Sequence, residues 1–152
     1  NAIIRYLADK NNSPIYPKDL KARAIVDEWI DFCSMHVGVN LSKVVYNRLF
    51  APMRNAPVDE NSIKEGLGFL DRFLPVVDGQ LGKGKFLTGE KQTLADFNLL
   101  ALLDPCEAAQ VDISKYTNIV QWRNTLRKET FYTQCHASYD EVIKNIMAAT
   151  KK

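Results

Sequence analysis

The sequence predicts an all-α fold, a bundle of helices arranged around one central helix. Apolar residues recur at helical spacing along nearly all of the 152 residues, and no segment alternates between apolar and polar residues as a strand does. Seven glycines and six prolines are also few for an all-β protein. Residues 97–103 are apolar on nearly every side, which indicates a helix enclosed by the others. The chain has the length of one domain, and its 46% of hydrophobic residues is enough to form a substantial core.

Two helices are expected in the first third of the chain. The first covers residues 1–10 and ends at the polar, proline-containing stretch 11–14. Its apolar side consists of Ile3, Ile4 and Leu7. The second begins after Asp19, whose carboxylate can cap it, runs for about 30 residues with a bend at Gly38, and ends at residues 51–52. Its apolar stripe consists of Ala22, Ile25, Val26, Trp29, Phe32, Cys33, Val37, Leu41, Val44 and Leu49.

A third helix is predicted to pack antiparallel to the second. Asp59 and Ser62 mark its start, and Pro75 lies inside it, where a missing backbone donor predicts a kink. The glycine-rich stretch 79–84 is expected to end this helix in a turn. The apolar stripe of the third helix consists of Ile63, Leu67, Leu70, Phe73, Leu74, Val77 and Leu81.

The most informative stretch is residues 86–97, which predicts a helix start that solvent cannot reach. Thr93 stands at an N-cap position and Asp96 three residues later, so each side chain can accept a hydrogen bond from the backbone N–H of the other. Because the helix that follows is apolar all round, an unpaired N–H in its first turn would cost about 1–3 kcal/mol. Thr93 and Asp96 are therefore expected to form a structural capping box in the interior.

Three shorter elements are expected after the central helix. Residues 119–126 form a helix, residues 130–135 form a turn, and a last helix begins at Ser138. Residues 138–141 have the pattern of a second capping box. The apolar residues of the last helix are Val142, Ile143, Ile146 and Met147.

Charge and composition argue against two classes of partner. Twenty basic and 18 acidic residues give a formal charge of +2, which provides no basic surface for nucleic acid. The apolar run 97–103 is far shorter than the roughly 20 residues that span a bilayer, so no membrane partner is expected. Three scattered cysteines and the lack of a signal-peptide profile favour a cytoplasmic location.

Side chains that could perform chemistry on their own are few. Cys33 and His36 are three residues apart on one helix, so they could meet as a thiol nucleophile and its base, but Cys33 lies on the apolar stripe as structural cysteines do. Cys135 and His136 are adjacent and point to different sides of a helix. Two histidines and scattered cysteines offer no zinc spacing, and no glycine-rich phosphate loop is present. We therefore expect no metal site and no catalytic residue in this chain.

In combination, the motifs resemble one family. The pattern Gly-x-x-x-Thr-Leu-Ala-Asp-Phe at residues 89–97, after a Phe-Leu pair, resembles the buried capping box in the C-terminal domain of cytosolic glutathione transferases. Further segments that resemble this family are 2–7, 15–19, 26–29 and 116–122. Thr117 departs from the pattern, since the family usually has proline there, and the Glu-Ser or Gln-Ser that precedes the first motif is absent. The spacing from Trp29 to Pro52 is similar to the plant phi and bacterial theta-like classes.

This resemblance implies a domain arrangement. Residues 1–12 would be the tail of the last helix of a thioredoxin-like domain that is otherwise absent, and residues 13–152 would be the C-terminal helical domain. The catalytic residue that activates the glutathione thiol would belong to the absent domain. No cofactor is expected to bind this domain alone, and glutathione is expected as co-substrate of the full-length protein.

The resemblance also implies a function. The full-length protein would conjugate glutathione to small hydrophobic electrophiles, and this domain would supply one wall of the electrophile site together with part of a homodimer interface. By position, His36, Val37 and Leu41 would line that wall. The expected partners are the chain's own thioredoxin-like domain, a second copy and the electrophile, and this chain alone would be inactive.

Two alternatives remain open at this level. The first is a non-enzymatic interaction module of the same fold, as in the gamma subunit of elongation factor 1 or the appendages of aminoacyl-tRNA synthetases. The sequence upstream of Asn1 would distinguish it, because a thioredoxin-like segment with a hydroxyl or thiol near its first strand favours the enzyme. The second is an unrelated helical domain, which requires the combination of motifs to be a coincidence.

Overall fold

The computed structural model of this chain describes residues 1–135 and residue 141. Within that part of the chain all regular structure is helical, apart from one isolated bridge between Phe86 and Gly89. The helices are α1 (Ala2–Lys10), α2 (Leu20–Phe32), α3 (Val39–Val45), α4 (Ala51–Met53), α5 (Glu60–Leu81), α6 (Leu94–Leu103), α7 (Thr117–Leu126) and α8 (Thr130–Cys135). The predicted all-α class is confirmed.

Residues 20–53 form one long helix, as the sequence predicts. Its α-helical parts, α2, α3 and α4, are joined by two wider π-helical stretches, Cys33–Gly38 and Tyr46–Phe50. The Asp19 carboxylate accepts a hydrogen bond from the N–H of Ala22 at 2.8 Å, which confirms the predicted cap. At Gly38, where the sequence predicts a bend, the structure has the end of the π-helical stretch Cys33–Gly38. We refer to residues 20–53 as the long helix.

Helix α5 packs antiparallel against the long helix. Contacting pairs run in opposite directions along the two helices: Phe73 with Phe32, Gly66 with Asn40, and Asp59 with Asn47. A Cβ atom at Gly66 would lie 2.7 Å from the backbone oxygen of Asn40, so glycine is what allows the two backbones to come this close. The start of α5 is also as predicted, since the Asp59 carboxylate accepts from the N–H of Ser62 at 3.0 Å.

Helix α6 lies at the centre and packs against α2 and the π-helical stretch that follows it. Its buried residues are Leu94, Ala95, Asp96, Leu99, Leu100 and Leu103. In the described part of the chain, however, Ala101 is exposed and Leu102 is half-buried. The sequence predicts enclosure on nearly every side, and the structure leaves one side of α6 open to a cavity.

The end predicted for the long helix is too early. Proline fixes a φ angle that suits the first turn of a helical segment, so Pro52 lies inside the helix at the start of α4. The chain leaves the helix at Arg54, and Asn55 follows with a positive φ of 51°. Asparagine tolerates this left-handed conformation, and it gives the stop signal here in place of the proline.

The glycine-rich stretch 79–84 ends α5, as predicted, although the helix enters this stretch before it ends. The helix continues through Gly79 to Leu81, and Gly82 caps it. Val77 and Leu81 are both buried. Burial of a large apolar side chain contributes about 1.5–3 kcal/mol, which outweighs the cost of about 1 kcal/mol for a glycine inside a helix.

Residues 130–135, predicted as a turn, form helix α8. The ring of Phe131 packs edge-on against Phe97 with centroids 4.8 Å apart, and the Tyr132 hydroxyl donates to the Asp104 carboxylate at 2.9 Å. The turn prediction was therefore wrong. Such tertiary contacts are not visible in the local sequence. The helix predicted from Ser138, with its capping box, falls outside the described residues except for Glu141.

Candidate functional site

One buried carboxylate organises the start of α6. Thr93 and Asp96 form the predicted capping box, and Asp96 is 0% exposed. Its Oδ2 atom accepts from the backbone N–H of Thr93 at 2.9 Å and from the Thr93 hydroxyl at 3.3 Å. Its Oδ1 atom accepts from the N–H of Leu87 at 3.0 Å and from the indole N–H of Trp122 at 3.1 Å. The side chain of Asp96 therefore joins the loop before α6, α6 itself and α7.

The linker between α1 and the long helix completes this helix start. The N–H of Leu94 donates to the carbonyl oxygen of Ile15 at 3.0 Å. Burial raises the pKa of the Asp96 carboxyl, while the hydrogen bonds that it accepts lower it. Trp122 was not identified as a partner from the sequence. The available signal was that a buried tryptophan needs an acceptor for its indole N–H.

A cavity of about 310 Å³ lies between the long helix and α6. Its lining residues are Gly38, Leu41, Ser42, Val45, Tyr46, Phe50, Ala101, Leu102 and Pro105. A Cβ atom at Gly38 would lie 2.8 Å from Cδ2 of Leu102, so the glycine sets how closely the two helices approach beside the cavity. Small-molecule sites are mostly apolar and have volumes from about 300 Å³ upward, so this cavity suits a small apolar molecule.

The three residues predicted to line a binding wall have different surroundings. Leu41 lines the cavity. Val37 is buried in the core. His36 lies on the side that faces α5, where its ring stacks on Phe73 with centroids 4.3 Å apart. The structure therefore brings Leu41 to the cavity but not His36.

The possible Cys33–His36 nucleophile lacks the properties of an activated thiol. Cys33 is fully buried, and burial, with a smaller contribution from Asp96, raises the pKa of its thiol to about 12. Nucleophilic cysteines need a lowered pKa and access to substrate. Cys106, which is also buried, has a thiol pKa of about 12 for the same main reason. Both residues are structural.

A ring of three hydrogen bonds joins α1 to the two central helices. The Asn1 amide donates to the Ser34 hydroxyl at 2.8 Å, the Ser34 hydroxyl donates to the Asn98 amide oxygen at 3.3 Å, and the Asn98 amide donates back to Asn1 at 2.9 Å. These side chains were not singled out from the sequence, because they come from positions 97 residues apart.

Comparison with known proteins decides the family. The sequence profile described as "Glutathione S-transferase, C-terminal domain" matches residues 43–129, which is more than half of the chain. The chain belongs to the glutathione S-transferase family. It is similar to glutathione S-transferase F10 of Arabidopsis thaliana, with 29% identity over 145 residues, 91% of this chain and 67% of the relative.

Solved structures of glutathione transferases agree with this assignment. A delta-class enzyme of Nilaparvata lugens has a TM-score of 0.73 and 30% identity, with 99% of this chain and 67% of that chain covered. Glutathione transferase F7 of Populus trichocarpa has a TM-score of 0.78 at 20% identity, with coverage of 96% and 68%. This glutathione S-transferase chain thus spans about two thirds of the length of the relatives that it matches.

Neither a metal-ligand cluster nor a membrane-spanning helix is found in the part of this glutathione S-transferase chain that the structure describes. Residues 1–135 contain no group of three or more histidine, cysteine, aspartate or glutamate side chains placed to hold a metal ion. None of the described helices combines the length and the apolar character needed to cross a membrane.

Proposed function

We propose that this chain is the helical domain of a glutathione transferase that conjugates glutathione to hydrophobic electrophiles, and that it supplies one wall of the electrophile site. The observation that carries the proposal is the apolar cavity beside Leu41, in a chain that belongs to this family. An electrophile with a small aromatic or aliphatic body would gain free energy by leaving water for such a surface.

The proposal gives separate roles to the three predicted residues. Leu41 contacts the electrophile, and Val37, which is buried one turn earlier, packs behind it. His36 belongs to a half-buried aromatic ridge with Trp29, Phe32, Phe69 and Phe73. We propose that this ridge is part of a homodimer interface, because aromatic side chains are enriched in such interfaces.

Glutathione itself is assigned to the thioredoxin-like domain. Both cysteines whose side chains are described have a thiol pKa of about 12, so neither is ionised at neutral pH. In this proposal the thiolate that attacks the electrophile comes from glutathione, which another domain activates. The exposed residues of α1 fit a docked domain, since Ile3 is 74% exposed and Leu7 is 48% exposed.

The experiment uses this chain alone and as a fusion behind the thioredoxin-like domain of the F10 relative. The chain alone should neither conjugate glutathione to 1-chloro-2,4-dinitrobenzene nor bind immobilised glutathione, whereas the fusion should do both. Ser42 is exposed and lines the cavity, so Ser42→Phe should fill the cavity without disturbing the core, and Ser42→Ala is the matched control.

In the fusion, Ser42→Phe should raise the KM for the electrophile several-fold and leave the KM for glutathione unchanged. If Ser42→Phe and Ser42→Ala changed the KM for the electrophile equally, the cavity would not be part of the electrophile site. A fusion that is folded and binds glutathione but catalyses nothing would favour the non-enzymatic interaction module.

A further inference from the structure

The long helix lines the cavity beside Leu41 with residues from one short segment. This segment runs from Gly38, the last residue of the first π-helical stretch, to Phe50, the last residue of the second. A π-helical turn holds one residue more than an α-helical turn, and such turns are frequent at functional sites. Before the second stretch turns the chain, the side chains that face the cavity are Leu41, Ser42, Val45 and Tyr46. We refer to these four residues as the cavity face.

The π-helical stretch Tyr46–Phe50 brings Phe50 to the cavity in place of Leu49. A regular α-helix turns by about 100° per residue, so it would carry Leu49 to the middle of the cavity face and Phe50 about 100° away from it. The extra residue of the stretch takes up that rotation, since the N–H of Ala51 donates to the carbonyl oxygen of Tyr46, five residues earlier. Among the described residues Phe50 therefore lines the cavity, whereas Leu49 does not and packs against the core.

Asn47 and Arg48 hold this stretch on two sides. Asn47 is buried, and its amide nitrogen donates to the carbonyl oxygen of Lys43 at 2.9 Å. Its amide oxygen accepts from the backbone N–H of Asp59, the cap of α5, also at 2.9 Å. Arg48 donates through Nη1 to the carbonyl oxygens of residues 109–110, at 2.9 and 2.8 Å. Neither side chain is among the described lining residues, so both act on the cavity through the backbone that they hold.

The stretch gives the cavity its aromatic character. Tyr46 and Phe50 are the two aromatic residues of the described lining, and both belong to this stretch. An aromatic ring gains affinity from edge-on or offset contact with other rings, beyond the gain from burying its area. A saturated ring of the same size has only the gain from burial.

We propose that the cavity prefers electrophiles with a planar aromatic body, and that Phe50 sets this preference. Asn47 and Arg48 are positioning residues, because they hold the π-helical stretch that turns Phe50 into the cavity. The inference rests on the proposed electrophile site and names the class of molecule that this site prefers.

Nitrobenzene and nitrocyclohexane are matched probes, because they carry the same nitro group on rings of the same size and differ in aromaticity. Titration of this chain with each probe, followed by NMR, gives both affinities without requiring catalysis. Nitrobenzene should bind at least about fivefold more tightly. Phe50→Leu should reduce this ratio to about two or less. The matched control Leu49→Ile conserves side-chain volume on the residue that packs against the core, and it should leave the ratio unchanged.

Equal affinities for the two probes in the parent chain would contradict the proposal, and so would a failure of both to bind. An unchanged ratio in Phe50→Leu would show that Phe50 does not set the preference.

A double-variant cycle tests whether Asn47 acts through Phe50. Asn47→Leu should lower the ratio about as much as Phe50→Leu does, and it should lower it no further in the Phe50→Leu background. A merely structural role predicts either an unchanged ratio or two independent, additive losses, and both results contradict the positioning role. Arg48→Met keeps the stem of the side chain and removes its donors, so it should repeat this dependence. It decides the question if circular dichroism shows that Asn47→Leu is unfolded.

Turnover by the fusion separates this inference from the proposed function. If the probes bind with the expected ratio but the fusion does not conjugate glutathione to 1-chloro-2,4-dinitrobenzene, the proposed function fails and the aromatic preference stands. If the fusion is active but Phe50→Leu leaves its KM for this electrophile unchanged, the role of Phe50 fails and the proposed function stands.

Discussion

The indole N–H of Trp122 donates to Oδ1 of Asp96 across 3.1 Å, and this bond ties α7 to the first turn of α6. Both residues are buried. The capping box at this helix start is thus more than a local motif, because its carboxylate also satisfies donors from two other parts of the chain.

Replacing Asp96 by alanine should destabilise the domain by at least about 2 kcal/mol. The donors of Thr93, Leu87 and Trp122 would lose their acceptor in a place where solvent cannot replace it. The matched control is Asp59→Ala, which removes an exposed cap and should cost about 1 kcal/mol. Urea unfolding of both variants gives the comparison, and equal losses would mean that burial adds nothing to the role of Asp96.

Two glycines of α5 should respond to alanine in opposite directions. A Cβ atom at Gly66 would lie 2.7 Å from the backbone oxygen of Asn40, so Gly66→Ala must push the long helix away and should cost about 1–3 kcal/mol. At Gly68 there is open space, so Gly68→Ala should gain about 0.5–1 kcal/mol from helix propensity. Thermal unfolding tests the pair, and a stabilised Gly66→Ala would show that the helices are further apart than described.

Cys33 and Cys106 should be inert to thiol reagents in the folded protein. With a thiol pKa of about 12, only about one thiol in 10,000 is ionised at pH 8, and both side chains are buried. In a Cys135→Ser background, Ellman's reagent should detect no fast-reacting thiol until guanidinium chloride unfolds the chain. Rapid, stoichiometric labelling of Cys33 under native conditions would instead revive the Cys33–His36 pair as a nucleophile.

The exposed apolar face of α1 should make the isolated chain self-associate. Ile3, Tyr6 and Leu7 lie in the open, and apolar patches of a few hundred Å² promote association. Sedimentation should reveal dimers or larger species as concentration rises, and Ile3→Lys with Leu7→Glu should suppress them. Val58→Lys, on the loop before α5, is the control and should have no effect. A monomer at high micromolar concentration would contradict this prediction, and association that persists in the double variant would exclude α1 as its cause.

Local signals in the sequence were sufficient for three helix starts, those of the long helix, α5 and α6. The caps Asp19, Asp59 and Thr93 each act on residues within one turn of themselves, so a short window contains both the donor and the acceptor. The ends were less predictable. Pro52 lies inside the long helix because its φ angle suits the first turn of α4. Gly79 lies inside α5 because packing of the neighbouring residues decides the outcome, and packing involves residues that are distant in sequence.

The candidate site was predictable only in part. The spacing along the long helix identified Leu41, but it did not reveal which partner helix each side chain faces, and so it could not separate Leu41 from His36. The ion pair between Arg123 and Glu107 was missed altogether. Glu107 lies 16 residues before Arg123, so no local pattern in the sequence joins the two side chains.

The start of α6 also sets an order of events during synthesis. Its hydrogen bonds require the carbonyl of Ile15, the N–H of Leu87 and the indole of Trp122, which come from three separate stretches of the chain. Closing such loops is slow compared with winding a helix. Until Trp122 has left the ribosome, the buried Asp96 carboxylate lacks one of its hydrogen-bond donors, even if helix α6 has already formed. The domain therefore cannot complete its core from the N-terminus onward, and a nascent chain that stalls before α7 exposes the most apolar of the described helices to the chaperones around it.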